Sequence, residues 1–154
     1  MPRYAEKTNV SISRSQEEIS RTLARYGADQ FVQGWDRNRA GIGFAIHGHH
    51  YRLSVPHPGP DQFKRTETGR PRNNEQVEQL VEQESRRRWR VLLLSIKAKL
   101  ELIELGISSF EQEFLAHLLL PGGITVGERI LPDLDRVASA GLPPLLPGPG
   151  VREM

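Results

Sequence analysis

Hydrophobic residues recur along this chain with two different periods, and each change of period marks a predicted element. Ile19, Leu23 and Tyr26 fall on one side of a helix and predict a first helix from about Ser15 to Tyr26. Ser15 and Glu18 have the spacing of a capping box, which indicates that the helix begins at Ser15.

An alternating pattern follows and predicts a three-stranded antiparallel meander. Its first strand spans about Gln30 to Trp35, and Gly48 allows the second turn. One side of the second and third strands is apolar: Ala40, Ile42, Phe44, Ile46, Tyr51, Leu53 and Val55. The other side of the second strand is small: Gly41, Gly43 and Ala45. The apolar side has to be covered, most simply by a helix.

A basic segment with several prolines, residues 56–74, separates the meander from the longest predicted helix. We expect it to be a mobile linker or a binding loop, because it is long for a connection inside a domain. The helix is predicted from about Asn74 to Leu105. Its second half has two apolar sides, the outer one formed by Val91, Leu94, Ala98, Leu102 and Leu105. A helix that covers a sheet needs one apolar side, so the outer side is predicted to meet the C-terminal helices or another subunit.

Short helices complete the predicted α+β fold. Ser108 with Glu111, or Ser109 with Gln112, caps a helix that runs to Leu120, and Thr125 with Glu128 caps a later one. The fold class is therefore a helix, a three-stranded antiparallel meander, a long helix and short C-terminal helices. We expect one domain over residues 1–141, with its basic linker at 56–74, and a Pro/Gly-rich tail over 142–154.

Composition excludes several classes of protein. The 154 residues include no cysteine, which excludes a disulfide scaffold and thiol catalysis. The most apolar window, residues 91–105, carries four charged residues, so no membrane span is expected. No apolar leader is visible near the start, and a cytoplasmic protein is the expectation.

The charge is unevenly distributed although the net charge is only +2. Residues 1–90 contain 16 basic and 11 acidic residues, whereas residues 91–154 contain 5 and 8. This asymmetry is compatible with a polyanion partner. The candidate phosphate contacts are Lys64, Arg65, Arg70, Arg72, Arg87 and Arg90. Trp35 and Tyr51 are candidates for base stacking, and Arg52 frames the same surface.

Other interpretations of these residues stay open. Glu82 and Glu84 precede Arg86 and Arg88 by four residues, a spacing that favours ion pairs on a solvated helix surface. Arg87 and Arg90 have no obvious partner within the helix. The small side of the second strand could equally pack against a neighbouring element.

Catalytic signals are absent from the sequence. It contains no nucleotide-binding glycine loop, no GxSxG and no HExxH motif. His47, His49 and His50 cluster at a predicted turn, but no cysteine or suitably spaced acid joins them, so we expect neither a metal site nor a cofactor. The chain is therefore interpreted as a non-catalytic protein.

Several segments resemble a family of small proteins borne by bacteriophages and prophages, which has no assigned activity. They are residues 25–28, the strand pair that ends in Arg52 and Pro56, and residues 88–101, 110–116 and 125–127. The resemblance covers roughly residues 4–147 and implies a phage-infected or lysogenic bacterial host. The order helix, three strands, helix is also that of double-stranded-RNA-binding domains and of phage single-strand annealing proteins, a likeness of topology alone.

Two functional hypotheses result. The first is a phage accessory protein that binds nucleic acid, preferentially single-stranded DNA, in replication or recombination. The second is a protein-binding module, either an oligomeric scaffold or an inhibitor of a host protein, with Val91, Leu94, Leu102 and Leu105 at a homo-oligomer interface.

Overall fold

The first helix begins at Ser11, not at Ser15, in the computed structural model, which describes residues 9–139, 141 and 145–146. Helix α1 spans Ile12–Arg25, and the Ser11 hydroxyl accepts a hydrogen bond from the backbone N–H of Arg14. The predicted Ser15 cap is wrong because Ser15 lies one turn inside the helix, on its buried side.

Three antiparallel strands form the sheet in the order β1-β2-β3. Their bounds are Gln30–Trp35 for β1, Arg39–Ile46 for β2 and His49–Pro56 for β3. Phe44 lies opposite Phe31 on one side and opposite Tyr51 on the other. Between β1 and β2, the Asp36 carboxylate accepts hydrogen bonds from the backbone N–H groups of Asn38 and Arg39, which holds the chain in a tight turn.

One side of the sheet is covered by α1 and by the long helix α2, which spans Asn74–Glu104. Asn73 and Gln76 cap α2 reciprocally, as a capping box does. The core lies between the sheet and these two helices and includes Ile19, Leu23, Ile42, Phe44, Ile46, Leu93, Ile96, Leu100 and Phe114. The predicted covering of the apolar sheet face by a helix is confirmed.

The segment 56–74 differs from the expected mobile linker, because it folds against the first turns of α2. Pro60–Phe63 forms a 3-10 helix, and Arg65 and Pro71 pair as an isolated bridge. Val77 of α2 is buried, and it lines a hollow with Pro60 and Pro71. The segment is therefore a compact loop beside the start of α2.

The C-terminal elements are short. Their bounds are Phe110–Glu113 for α3, Val126–Ile130 for α4 and Leu134–Ala138 for α5, with 3-10 turns at Leu115–His117 and Leu131–Asp133. The capping boxes of Ser109 with Gln112 and of Thr125 with Glu128 are confirmed.

The helix predicted to run to Leu120 ends at Glu113, because the chain then joins the sheet. Leu118 bridges to Tyr51, and the backbone N–H of Leu119 donates to the carbonyl of His50 at 2.8 Å. A hydrogen-bonded sheet edge has replaced the helix here.

The predicted α+β class and order of elements are confirmed. Among the helices of the described residues, none is both long and apolar enough to cross a membrane. Most of the predicted tail, 142–154, lies outside the described residues.

Candidate functional site

The arginines near the middle of α2 form ion pairs within the protein. Arg86 pairs with Glu82 at 2.7 Å, and both Arg87 and Arg88 pair with Glu84 at 3.3 Å. The ion pairs predicted from spacing, Glu82 with Arg86 and Glu84 with Arg88, are therefore both confirmed. Arg87 does have a partner within the helix, contrary to the expectation, because an acid three residues earlier is also in reach.

Two of these arginines also connect α2 to the rest of the fold. Arg90 pairs with Glu18 of α1 at 3.5 Å. Arg88 donates to the carbonyl of Pro56, at the end of β3, at 2.6 Å. The side chains of the four arginines are only 19–28% exposed. The cluster is a partly buried ion-pair network, and it is a weaker phosphate-binding candidate than the sequence indicated.

Three of the four basic residues proposed in the segment 56–74 are also engaged. Lys64 pairs with Asp61 at 2.7 Å, and Arg65 donates to the carbonyl of Gly69. Arg72 donates to the carbonyls of Phe63 and Arg65, which closes the small loop. Within the described part of the chain, the guanidinium of Arg70 alone among these four has no hydrogen-bonding or ion-pair partner. These cations hold the segment together.

The side of the sheet away from the helices carries an open groove of about 470 Å³. Its lining includes Val32, Gly34, Trp35, Arg39, Gly41, Gly43, Arg52 and Ser54. Arg52 donates to both carboxylate oxygens of Glu128, at 3.1 and 3.2 Å. Backbone N–H bonding within the Thr125 cap lowers the pKa of Glu128 first, and the Arg52 guanidinium lowers it further. The predicted Arg52 therefore borders this groove as half of an ion pair.

Two glycines that line the groove, Gly41 and Gly43, have close neighbours within the sheet that leave little room for a side chain. A Cβ atom on Gly43 would come within 3.1 Å of Cγ2 of Val32, and one on Gly41 within 3.2 Å of the Leu53 carbonyl oxygen. The small side of β2 thus accommodates close neighbours within the sheet, the packing alternative left open above.

The two aromatic residues proposed to stack bases lie in different environments. Tyr51 is 1% exposed in the core and stacks on Phe44 with 5.4 Å between ring centroids, so its proposed role in base stacking is wrong. It alternates onto the apolar side of β3, which faces the helices. Trp35, at the end of β1, is 83% exposed and borders the groove.

The histidines are dispersed among separate contacts. His47 Nδ1 lies 3.1 Å from a carboxylate oxygen of Glu111, and His57 Nε2 lies 2.9 Å from the carbonyl of Asp36. The backbone N–H of Glu111 lowers the pKa of its carboxyl, and His47 adds to this effect. No three metal-binding side chains come together anywhere in the described ranges.

The outer side of α2 is incompletely covered. Val91 and Leu94 are half-buried, whereas Leu102 is 36% exposed and Leu105 is 69% exposed. Ile107, just beyond the helix, is 69% exposed, and its backbone N–H donates to the carbonyl of Leu102 at 3.0 Å. We call Val91, Leu94, Ala98, Leu102 and Leu105 the outer face of α2. The C-terminal helices therefore leave Leu102 and Leu105 of this face exposed, and its contact with another subunit stays a prediction.

Sequence reasoning missed Glu18 and Glu128 as the acids that neutralise predicted site arginines. Both lie more than 70 positions from an arginine that they contact, so no local spacing could have revealed them. Comparison of the chain with protein-family models, with curated proteins and with solved structures finds no match.

Proposed function

We propose that this chain is a non-catalytic protein-binding module that works as a homo-oligomeric scaffold. The observation that carries the proposal is the outer face of α2, where Leu102 and Leu105 stay exposed next to Ile107. Burying apolar surface of this kind contributes about 25 cal/mol per Å², which favours association. The phage setting rests on the sequence resemblance alone.

A second copy of the chain is the occupant that we assign to this face. Ala98 lies at its centre, and a small side chain there lets two helices approach closely. The basic residues of positions 86–99 already pair with acids of the same chain, so apolar contact is what would hold two α2 helices together.

The test is the mass in solution of a Leu102→Glu/Leu105→Glu double variant. We expect it to be smaller than the wild-type mass, because four carboxylates would be buried at the contact. Val137→Glu is the matched control, since Val137 belongs to another helix, α5, and is about as exposed as Leu105. An unchanged mass for the double variant, or an equal loss in the control, would contradict the proposal.

Nucleic-acid binding is a second candidate, favoured by the exposed Trp35 at the end of β1. An exposed aromatic ring suits stacking of single-stranded bases. Because Trp89 is buried, quenching of tryptophan fluorescence by an unstructured oligonucleotide would report on Trp35. The expected quenching weakens steeply as salt rises, and quenching that is absent at low salt would eliminate this candidate.

A further inference from the structure

Strand β1 is an edge strand that lacks the usual features that prevent pairing with a strand of another molecule. Its six residues, QFVQGW, include no charged residue and no proline, the two common means of preventing edge-to-edge pairing. Val32 and Trp35 are 67% and 83% exposed. Among the described residues, no strand lies along the outer edge of β1.

The hairpin fixes which backbone groups of β1 are available for pairing. The backbone N–H of Asp36 donates to the carbonyl of Arg39 at 2.8 Å, so the Asp36–Arg39 pair is hydrogen-bonded. Hydrogen-bonded pairs alternate along an antiparallel ladder, so Val32 and Gly34 also direct their backbone groups toward β2. The N–H and C=O groups of Phe31, Gln33 and Trp35 therefore point away from β2, to the open edge.

We propose that β1 pairs antiparallel with β1 of a second copy, with Gln33 opposite Gln33, to form one six-stranded sheet. This register uses the outward backbone groups of Phe31, Gln33 and Trp35 in about six hydrogen bonds. It concerns a different surface from the outer face of α2, and it depends on the proposed function only in requiring a second copy.

Side-chain complementarity in this register is what selects a second copy as the partner. Phe31 lies opposite Trp35 of the other copy, an aromatic cross-strand pair, and Val32 lies opposite Gly34, a large residue against a small one. The exposed Asp29 and Arg37, which flank β1, come opposite each other twice, so charges of opposite sign meet at both ends.

There is also space for the second strand. The core-facing residues of β2 and β3 are buried under the helices, whereas Gln33 and Trp35 of β1 remain exposed. A groove lies between Gln33 and residues Ser13 and Glu17 of α1, which shows that α1 leaves this part of the edge open.

Single cysteines test the register, because the natural chain has none. In the proposed pairing, the Cα atoms of the two Gln33 residues are about 5.5 Å apart, inside the range of about 4.4–6.8 Å that a disulfide needs. Two Val32 residues, or two Gly34 residues, are diagonal neighbours about 7–8 Å apart. Under mild oxidation we expect Gln33→Cys to give about tenfold more disulfide-linked dimer than Val32→Cys or Gly34→Cys.

The crosslinking is carried out in the wild-type background and again with Leu102→Glu/Leu105→Glu. Dimer formation by Gln33→Cys in both backgrounds supports strand pairing, whatever the role of α2. Faster crosslinking of Val32→Cys or Gly34→Cys overturns the proposed register, and no crosslinking of any variant overturns the strand pairing. If the α2 double variant alone lowers the mass while Gln33→Cys stays uncrosslinked, the strand proposal fails and the proposed function stands.

A proline variant gives an independent measurement. Gln33→Pro removes an N–H that points away from β2, so the hairpin keeps its own hydrogen bonds. In the α2 double-variant background, we expect Gln33→Pro to reduce the mass to the 17.4 kDa of one chain, and Gln33→Ala to leave a dimer. A dimer that persists with Gln33→Pro, while its circular dichroism is unchanged, would overturn the proposal.

Discussion

Individual side chains in this protein often have a role that their sequence neighbours do not indicate. Ser15 has the sequence context of a cap, yet its hydroxyl is buried, with no hydrogen-bonding partner among the described residues. Asp36, in contrast, accepts two backbone N–H groups in the turn between β1 and β2. Burial and hydrogen bonding separate the two cases, and both effects can be measured.

Replacing Ser15 with alanine should stabilise the protein. A buried hydroxyl without a partner costs about 1–3 kcal/mol, and alanine has the higher helix propensity, so we expect the free energy of unfolding to rise by about 1 kcal/mol. Urea denaturation measures it. Ser20→Ala in the same helix is the control, since it shares the propensity gain without full burial. A Ser15→Ala gain no larger than that of Ser20→Ala would show that the buried hydroxyl costs nothing.

Asp36 should make stability dependent on pH in the acid range. The backbone N–H groups of Asn38 and then Arg39 lower its pKa below the ordinary 3.8. A lowered pKa means that the carboxylate stabilises the fold above pH 3.8, and that this stabilisation is lost as the pH falls through the folded-state pKa. We expect Asp36→Asn to be less stable than wild type at pH 7, with a difference that shrinks below pH 4. A difference independent of pH would contradict this.

At the scale of elements, local signals predicted some helix boundaries correctly and missed others. The capping boxes at Ser109 and Thr125 were correct because they depend on residues three positions apart. The end of α3 was wrong because Leu118 and Leu119 bond to β3, a contact between distant parts of the chain. Helix α4 is positioned by a similar distant contact.

Gly127 lets helix α4 pack closely against the backbone of Ala116. A Cβ atom there would come within 2.9 Å of the Ala116 carbonyl oxygen, a backbone atom that cannot move freely. We expect Gly127→Ala to lower the free energy of unfolding by about 1–3 kcal/mol, the usual cost of overpacking. Gly59→Ala is the control in a thermal or urea melt, because nothing lies within 4 Å of its Cβ position and its φ is negative. Equal stability of the two variants would show that α4 moves to accept the methyl group.

At the scale of the whole molecule, most of the charged groups singled out are paired within the chain, whereas some apolar surface stays exposed. The cations that the sequence singled out are mostly neutralised within the fold, by Glu18 and Glu84 among others. The apolar outer face of α2 and the edge of β1 are not fully covered by the described chain. This contrast is why we propose self-association.

Self-association should make the melting temperature depend on protein concentration. Binding of a second copy to the folded state alone stabilises that state by mass action, by about 1.4 kcal/mol of dimer for each tenfold rise in concentration above the dissociation constant. We expect the melting temperature to rise over a hundredfold range of concentration, and to rise less in Leu102→Glu/Leu105→Glu. A melting temperature constant over that range would oppose self-association through either surface.

The sequence by itself determined the order of elements, the alternation of β2 and β3, and the extra apolar side of α2. These follow from short-range periodicity and from caps, which act over three or four residues. The tertiary structure alone decided that Tyr51 is buried, that Arg90 and Arg52 pair with Glu18 and Glu128, and that the segment 56–74 folds against α2. Those outcomes depend on contacts between residues far apart in the chain, and local spacing carries no information about such contacts.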